Sequence, residues 1–121
     1  MGRTQRTMNY KLIFQNAVKL LRGEISTTLT PGYLREQGGL TAPQIREAMI
    51  DQGKRYAPPQ ASHLAQAMKA SPLFRKVRDS SPIVWGAVPD DEVVARLRQH
   101  NGAIIGRRSI PHHLKRQAGL L

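Results

Sequence analysis

The side chains of this sequence best suited to chemistry are its lysines and arginines, whose spacing favours contacts with phosphate. Three blocks, residues 1–22, 54–78 and 93–121, carry five, six and six basic residues and no acid. Two acidic blocks, residues 23–53 and 79–92, separate them. Such clustering is typical of a surface that meets a polyanion, because each cation can neutralise a phosphate and release its counterions. The alternative is a solvated surface with a strong positive bias.

The composition supports the same interpretation. The 121 residues include 19 Lys and Arg against 8 Asp and Glu, a formal net charge of +11 at pH 7. This length predicts one domain with a modest core. Cysteine is absent, which excludes disulfides, thiolate catalysis and cysteine zinc sites.

The apolar stretches are too short for a membrane protein. No apolar run approaches the roughly 18 residues of a candidate membrane span. The basic start of the chain also lacks the apolar stretch of a secretory signal. We therefore expect no membrane association and an intracellular location, either cytoplasmic or nucleoid-associated.

The remaining reactive side chains do not form a recognisable catalytic or metal site. Adjacent His112 and His113 point to different faces of a helix and make a poor chelate. Asp90, Asp91 and Glu92 suit a helix start, where they complement the helix dipole, better than a metal site. No Ser-His-Asp spacing, nucleophile elbow or phosphate-binding glycine loop is recognisable. We expect neither an enzyme nor a bound metal or cofactor.

Hydrophobic periodicity predicts the elements that position these side chains. A period near 3.6 predicts an amphipathic helix over residues 10–22. Residues 25–29 are β-prone, Pro31-Gly32 signals a turn, and residues 33–37 could form a short helical turn. A second helix is predicted over residues 42–52, started by a capping box of Thr41 and Gln44.

A third helix and a hairpin follow. The helix is predicted over residues 59–70, with an apolar face at helical spacing: Ala61, Leu64, Ala65 and Met68. The period then changes to two, which predicts strands over residues 73–78 and 83–88 with a turn between them. Phe74 and Val77 are the expected apolar anchors of the first strand, and Trp85 of the second strand is expected in the core.

This order of elements resembles a winged helix-turn-helix domain. The resemblance covers roughly residues 10–88 and is carried by the capped helix, the third helix and the stretch Ser71–Gly86. It implies an α+β, mostly α fold with a three-helix core and a C-terminal β-hairpin wing. The residues after the wing predict an extra C-terminal helix in the segment 89–102, outside the part of the chain that carries the resemblance. A basic arm, residues 1–9, and a basic tail, residues 103–121, would flank this domain.

The resemblance also implies how the domain meets its ligand. Members of the class usually lay the third helix in the major groove and touch the backbone or minor groove with the wing. Here that implies base contacts from Ser62, His63 and Gln66. It implies backbone contacts from cations of the turn, helix, wing and tail: Lys54, Arg55, Lys69, Arg75, Lys76, Arg78, Arg107 and Arg108. The helix face lacks arginine, which favours weak direct readout or contacts mainly to the backbone.

These features predict a sequence-reading or architectural protein that binds double-stranded DNA in preference to RNA. One alternative is an RNA-binding component of a ribonucleoprotein, whose basic termini order on RNA. Another is a winged-helix module that docks proteins. The apolar stripe Val93, Val94 and Leu97 on the helix at residues 90–101 could pair with a copy of itself, which predicts a homodimer.

Overall fold

A computed structural model of the protein describes residues 10–53, 57–99 and 110–120. Its elements, in chain order, are α1 (Tyr10–Leu21), α2 (Thr30–Gln37), α3 (Ala42–Asp51), α4 (Ala61–Lys69), β1 (Phe74–Arg78), β2 (Val84–Ala87), α5 (Asp90–Gln99) and α6 (His112–Gln117). The fold is α+β and mostly α, as the sequence predicts. No helix among the described residues is long and apolar enough to cross a membrane.

Helix α3 begins at the predicted capping box. The Thr41 hydroxyl accepts a hydrogen bond from the Gln44 backbone nitrogen at 3.3 Å. In return, the Gln44 side-chain oxygen accepts one from the Thr41 backbone nitrogen at 3.0 Å. Two orphan donors of the first turn are thereby satisfied. Leu40 and Ile45, on either side of this cap, are completely buried, so the start of α3 is fixed against the core.

Strands β1 and β2 form an antiparallel hairpin in which Lys76 lies opposite Trp85. A second pairing fixes the hairpin to the helices. The Leu40 nitrogen donates to the Trp85 carbonyl at 3.1 Å, and the Trp85 nitrogen donates to the Leu40 carbonyl at 2.8 Å. Gly39 permits this close approach, because a Cβ at that position would overlap the Trp85 carbonyl oxygen.

One hydrophobic core joins the helices to the hairpin. Phe14 of α1 packs edge-on against Phe74 of β1, with ring centroids 5.0 Å apart. Further fully buried side chains come from α1, α3, α4, α5 and the C-terminal segment, and include Leu20, Met49, Leu64, Met68, Leu97, Ile110 and Leu114. The core therefore extends beyond the hairpin to residues 110–120.

The apolar stripe behind the homodimer prediction belongs to this core. Val93 and Leu97 are completely buried and Val94 is 7% exposed. Helix α5 turns this stripe towards the same cluster that holds Ile110 and Leu114. These three side chains thus pack within their own chain, and the homodimer stays a prediction.

The segment before α3 differs from its prediction. Pro31 and Gly32 lie in the first turn of the eight-residue helix α2 instead of in a turn. Proline suits that place because an N–H group of the first turn has no partner within the helix. The β-prone residues 25–29 form no strand.

Val77 also departs from its prediction as an apolar anchor, because its side chain is 48% exposed. The β1–β2 register shifts between Lys76 and Arg78, so that Val77 is the extra residue. Its side chain lies beside Gly86 and Gly38, outside the core. Strand β1 is therefore buried only at Phe74.

Candidate nucleic-acid interface

Helix α4 presents the three predicted base-contacting residues on its outer face. Ser62, His63 and Gln66 are exposed, whereas Leu64 and Met68 on the inner face are completely buried. Helical spacing separates the two sets, as the periodicity predicts. Within the described part of the chain, none of the three exposed side chains has a hydrogen-bond or ion-pair partner. Their donors and acceptors are available to a ligand.

The chain on both sides of α4 determines the direction of this face. The Arg46 side chain of α3 donates from Nε to the Pro59 carbonyl at 3.1 Å. Helix α4 then begins at Ala61, two residues after the predicted start. Beyond its end, the Ser71 hydroxyl is buried and accepts a hydrogen bond from the Leu73 nitrogen at 3.2 Å. These contacts connect α4 to α3 on one side and lead the chain into β1 on the other.

Strand β1 carries the three predicted cations of the hairpin, Arg75, Lys76 and Arg78, all of them exposed. Lys76 Nζ lies 3.1 Å from a carboxylate oxygen of Asp79. Arg78 Nε donates to the neutral Ser80 hydroxyl at 3.2 Å. No acid in the described ranges pairs with Arg75. The hairpin thus keeps two cations whose charge is not balanced by a neighbouring acid.

A groove of about 520 Å³ separates α4 from the turn of the hairpin. Its walls are Ala61, Ser62 and Ala65 of α4, the start of α3, and the hairpin residues Asp79, Ser81, Pro82, Ile83 and Trp85. The first turn of α4 is therefore a neighbour of the hairpin turn. Lys69 is exposed in the last turn of the same helix.

Four of the predicted backbone contacts lie outside the described residues: Lys54, Arg55, Arg107 and Arg108. The predicted basic arm, residues 1–9, lies outside them as well. Within the predicted basic tail, α6 is attached to α5, because the Arg98 side chain donates to the Gln117 carbonyl at 2.6 Å. Ile110 before α6 and Leu114 within it are buried in the hydrophobic core.

The sequence interpretation missed a second groove, of about 480 Å³, between residues 27–33 and α3. Leu29 and Ile50 line this groove and are 52% and 51% exposed. The acids Glu47 and Asp51, which belong to α3 like Ile50, also line this groove. The sequence did contain a sign of this exposed apolar surface, because Ile50 lies outside the apolar stripe of α3 that holds Ile45 and Met49.

The carboxylate of Asp90 has a structural role, because it contacts residues from two other parts of the chain. No three His, Asp or Glu side chains of the described residues converge as metal ligands would. His113 Nε2 lies 3.9 Å from a carboxylate oxygen of Asp90. The same carboxylate pairs with Arg22 at 2.8 Å, so it connects the end of α1 with α5 and α6.

The candidate interface consists of a neutral polar helix face beside a cationic hairpin. Such a surface can donate and accept hydrogen bonds at its centre and neutralise charge at its edge. Comparison of the chain with protein-family models found no match, and comparisons with curated proteins and with solved structures found none either.

Proposed function

We propose that the protein binds double-stranded DNA as a winged helix-turn-helix domain, with α4 in the major groove and the β1–β2 hairpin as the wing. The order of elements supports this proposal. Helices α1, α3 and α4 precede the hairpin, with α2 as an additional helix between the first two, and a short extended piece at Leu40 comes directly before α3. The pairing of Leu40 with Trp85 connects that piece to the wing.

One observation carries the proposal: Ser62, one of the three unpartnered polar residues of α4, lines the same groove as the turn of the cationic hairpin. An α-helix fits the major groove, where polar side chains can hydrogen-bond base edges. Cations beside such a helix can neutralise the phosphates that flank the groove. On this arrangement Ser62, His63 and Gln66 face bases, while Arg75 and Arg78 face the backbone.

The other predicted cations extend the backbone contacts. Lys69 in the last turn of α4 is exposed and has no acidic partner within the described ranges. Lys76 can also contact the DNA backbone, if a phosphate takes the place of the Asp79 carboxylate beside its ammonium group. Lys54, Arg55, Arg107 and Arg108 are proposed to add contacts from the turn and the tail.

A titration of labelled duplex DNA, single-stranded DNA and structured RNA, followed by fluorescence anisotropy at low and near-physiological salt, tests the proposal. We expect the duplex to bind most tightly at both salt concentrations. Tighter binding of structured RNA would favour the ribonucleoprotein alternative. Equal binding of all three ligands, lost at the higher salt, would contradict the proposal.

Two sets of variants separate the parts of the interface. Changing Ser62, His63 and Gln66 together to Ala should alter the preferred DNA sequence. The double variant R75Q/R78Q should instead weaken binding to all sequences and lower the slope of log K against log salt by about 0.9 per lost phosphate contact. Lys19→Gln is the control for the loss of one positive charge elsewhere, to be compared with R75Q and R78Q singly, because Lys19 is exposed on α1, away from the groove.

A second candidate function, the docking of another protein, is favoured by the groove at Leu29 and Ile50. Half-exposed apolar side chains that share a groove are typical of protein contact sites. If protein docking is the role, the double variant L29S/I50S abolishes it while the DNA-face variants do not. The homodimer through residues 90–101 is tested by sedimentation of the full chain, with and without a duplex.

A further inference from the structure

The outer face of α4 has an unusual chemistry for a helix that meets DNA. A stripe of four residues at helical spacing, which we call the reading stripe, runs along it and ends at the C-cap residue: His63, Gln66, Ala67 and Ala70. Ala67 is half-buried and the other three are exposed. The reading stripe contains no lysine or arginine, although the chain carries a net charge of +11. Hydrogen-bonding groups and methyl groups therefore determine what it recognises.

We infer that the reading stripe recognises A·T base pairs through their major-groove edges, an inference that rests on the proposed function. Adenine presents an acceptor, N7, beside a donor, the N6 amino group. The amide of Gln66 has one donor and one acceptor side by side, so it can pair with both. No side chain in the described ranges engages this amide. It is available for such a bidentate contact.

The exposed Ala70 supplies the contact with thymine, the second base of the A·T pair. Thymine is the only standard DNA base with a methyl group in the major groove, and alanine side chains contact that methyl. Ala70 lies four residues after Gln66, about 6 Å along the helix axis. That distance corresponds to about two base-pair steps, so the two side chains can reach base pairs that lie two steps apart in the same A·T run. The small side chains of Ala67 and Ala70 also let the helix approach the base edges closely.

The same stripe discriminates against G·C pairs. Guanine offers two acceptors, N7 and O6, in the major groove, and arginine is their commonest partner. The Gln66 amide would place its own oxygen against one of these acceptors. Arginine is absent from α4, and Lys69 stands beside the reading stripe in the last turn. A good bidentate contact discriminates between bases by about 10-fold.

Anisotropy competition with the full chain tests this inference, using three duplexes of equal length that differ only in a central run of A·T, G·C or inosine·cytosine pairs. Inosine·cytosine has the major-groove acceptors of G·C but lacks the guanine amino group of the minor groove. We expect the A·T duplex to bind about 10-fold more tightly than both others. Replacing its thymines by uracil, which removes the methyl groups, should weaken binding about 3- to 4-fold.

Variants of Gln66 test whether this side chain is the source of the preference for A·T pairs. Gln66→Ala should abolish the preference for A·T while the duplexes still bind, and Gln66→Arg should make the G·C duplex the better ligand. Gln99→Ala, at an exposed glutamine of α5, is the matched control and should keep the preference. Thermal melts followed by circular dichroism establish that each variant is folded.

Three other results of the duplex competition would contradict the inference, the proposed function or both. Equal binding of the A·T and G·C duplexes would overturn the inference and leave duplex binding intact. Inosine·cytosine bound as tightly as A·T would locate the discrimination in the minor groove and also overturn it. If none of the duplexes binds, both the proposed function and the inference fail.

Discussion

The ammonium group of Lys76 lies 3.1 Å from the carboxylate of Asp79, so one of the three cations of the hairpin is neutralised within the chain. The Asp79 side chain is 82% exposed. A pair this exposed contributes little to stability, and a competing anion can replace the carboxylate. Asp79 therefore opposes the binding of any phosphate near the hairpin turn.

We expect Asp79→Asn to raise the affinity for duplex DNA several-fold for all sequences alike, because Lys76 gains a phosphate and a repulsive charge is removed. The slope of log K against log salt should become steeper by about 0.9 for the added contact. Salt-dependent anisotropy titrations measure both quantities. Asp51→Asn, an acid of α3 away from the hairpin, is the control. An equal gain from the control would mean that net charge alone sets the affinity.

The capping box of α3 should contribute measurably to stability. Thr41→Ala removes the hydroxyl that accepts the Gln44 N–H, and we expect the free energy of unfolding to fall by about 1 kcal/mol. Urea denaturation followed by circular dichroism gives this value. Thr28→Ala, at an exposed threonine of the loop before α2, should change it by less than about 0.5 kcal/mol. Equal losses in the two variants would contradict a capping role.

Replacement by alanine should destabilise the protein at one glycine and not at another. Gly39→Ala places a Cβ against the Trp85 carbonyl, a backbone atom that cannot move without breaking the bridge to Leu40. We expect a loss of about 1–3 kcal/mol. Gly32 of α2 has no atom within 4 Å of an added Cβ, so Gly32→Ala should be neutral or stabilising by up to about 1 kcal/mol. Thermal and urea unfolding distinguish these outcomes.

The C-terminal helix α6 should unfold cooperatively with the rest of the hydrophobic core. Leu114 is 2% exposed, and Leu114→Ala should lower the free energy of unfolding by about 2–5 kcal/mol. Leu29→Ala makes the same chemical change at a half-exposed position and should cost less than about 1 kcal/mol. A Leu114→Ala variant as stable as the control would mean that α6 is attached too weakly to share the core.

The sequence predicted a helix boundary correctly where that boundary depends on residues close together in the chain. Thr41 and Gln44 identified the start of α3, because a capping box is satisfied within one turn. Helix α2 was predicted only in part, because Pro31-Gly32 is compatible with a turn and with a first helical turn. The pairing of Leu40 with Trp85 joins residues far apart in the chain, and hydrophobic periodicity carries no information about such a pair.

The candidate interface was predictable to the same extent. Periodicity separated the outer residues Ser62, His63 and Gln66 from the buried Leu64 and Met68. It could not show that Lys76 pairs with Asp79, because that contact depends on how the hairpin turn closes. Val77 was assigned to the core for its apolar side chain, although strict alternation from Phe74 places it on the opposite face of the strand. The register shift that makes Val77 the extra residue of β1 depends on the pairing with β2, which the local pattern does not show.

Trp85 gives the protein an intrinsic optical probe. It is the single tryptophan of the chain, it is 3% exposed, and it borders the groove between α4 and the hairpin turn. Indole emission shifts to longer wavelength when water reaches the ring and changes in intensity when a nearby group quenches it. Unfolding and ligand entry into the groove can therefore be followed on the unlabelled chain, each with its own spectral change.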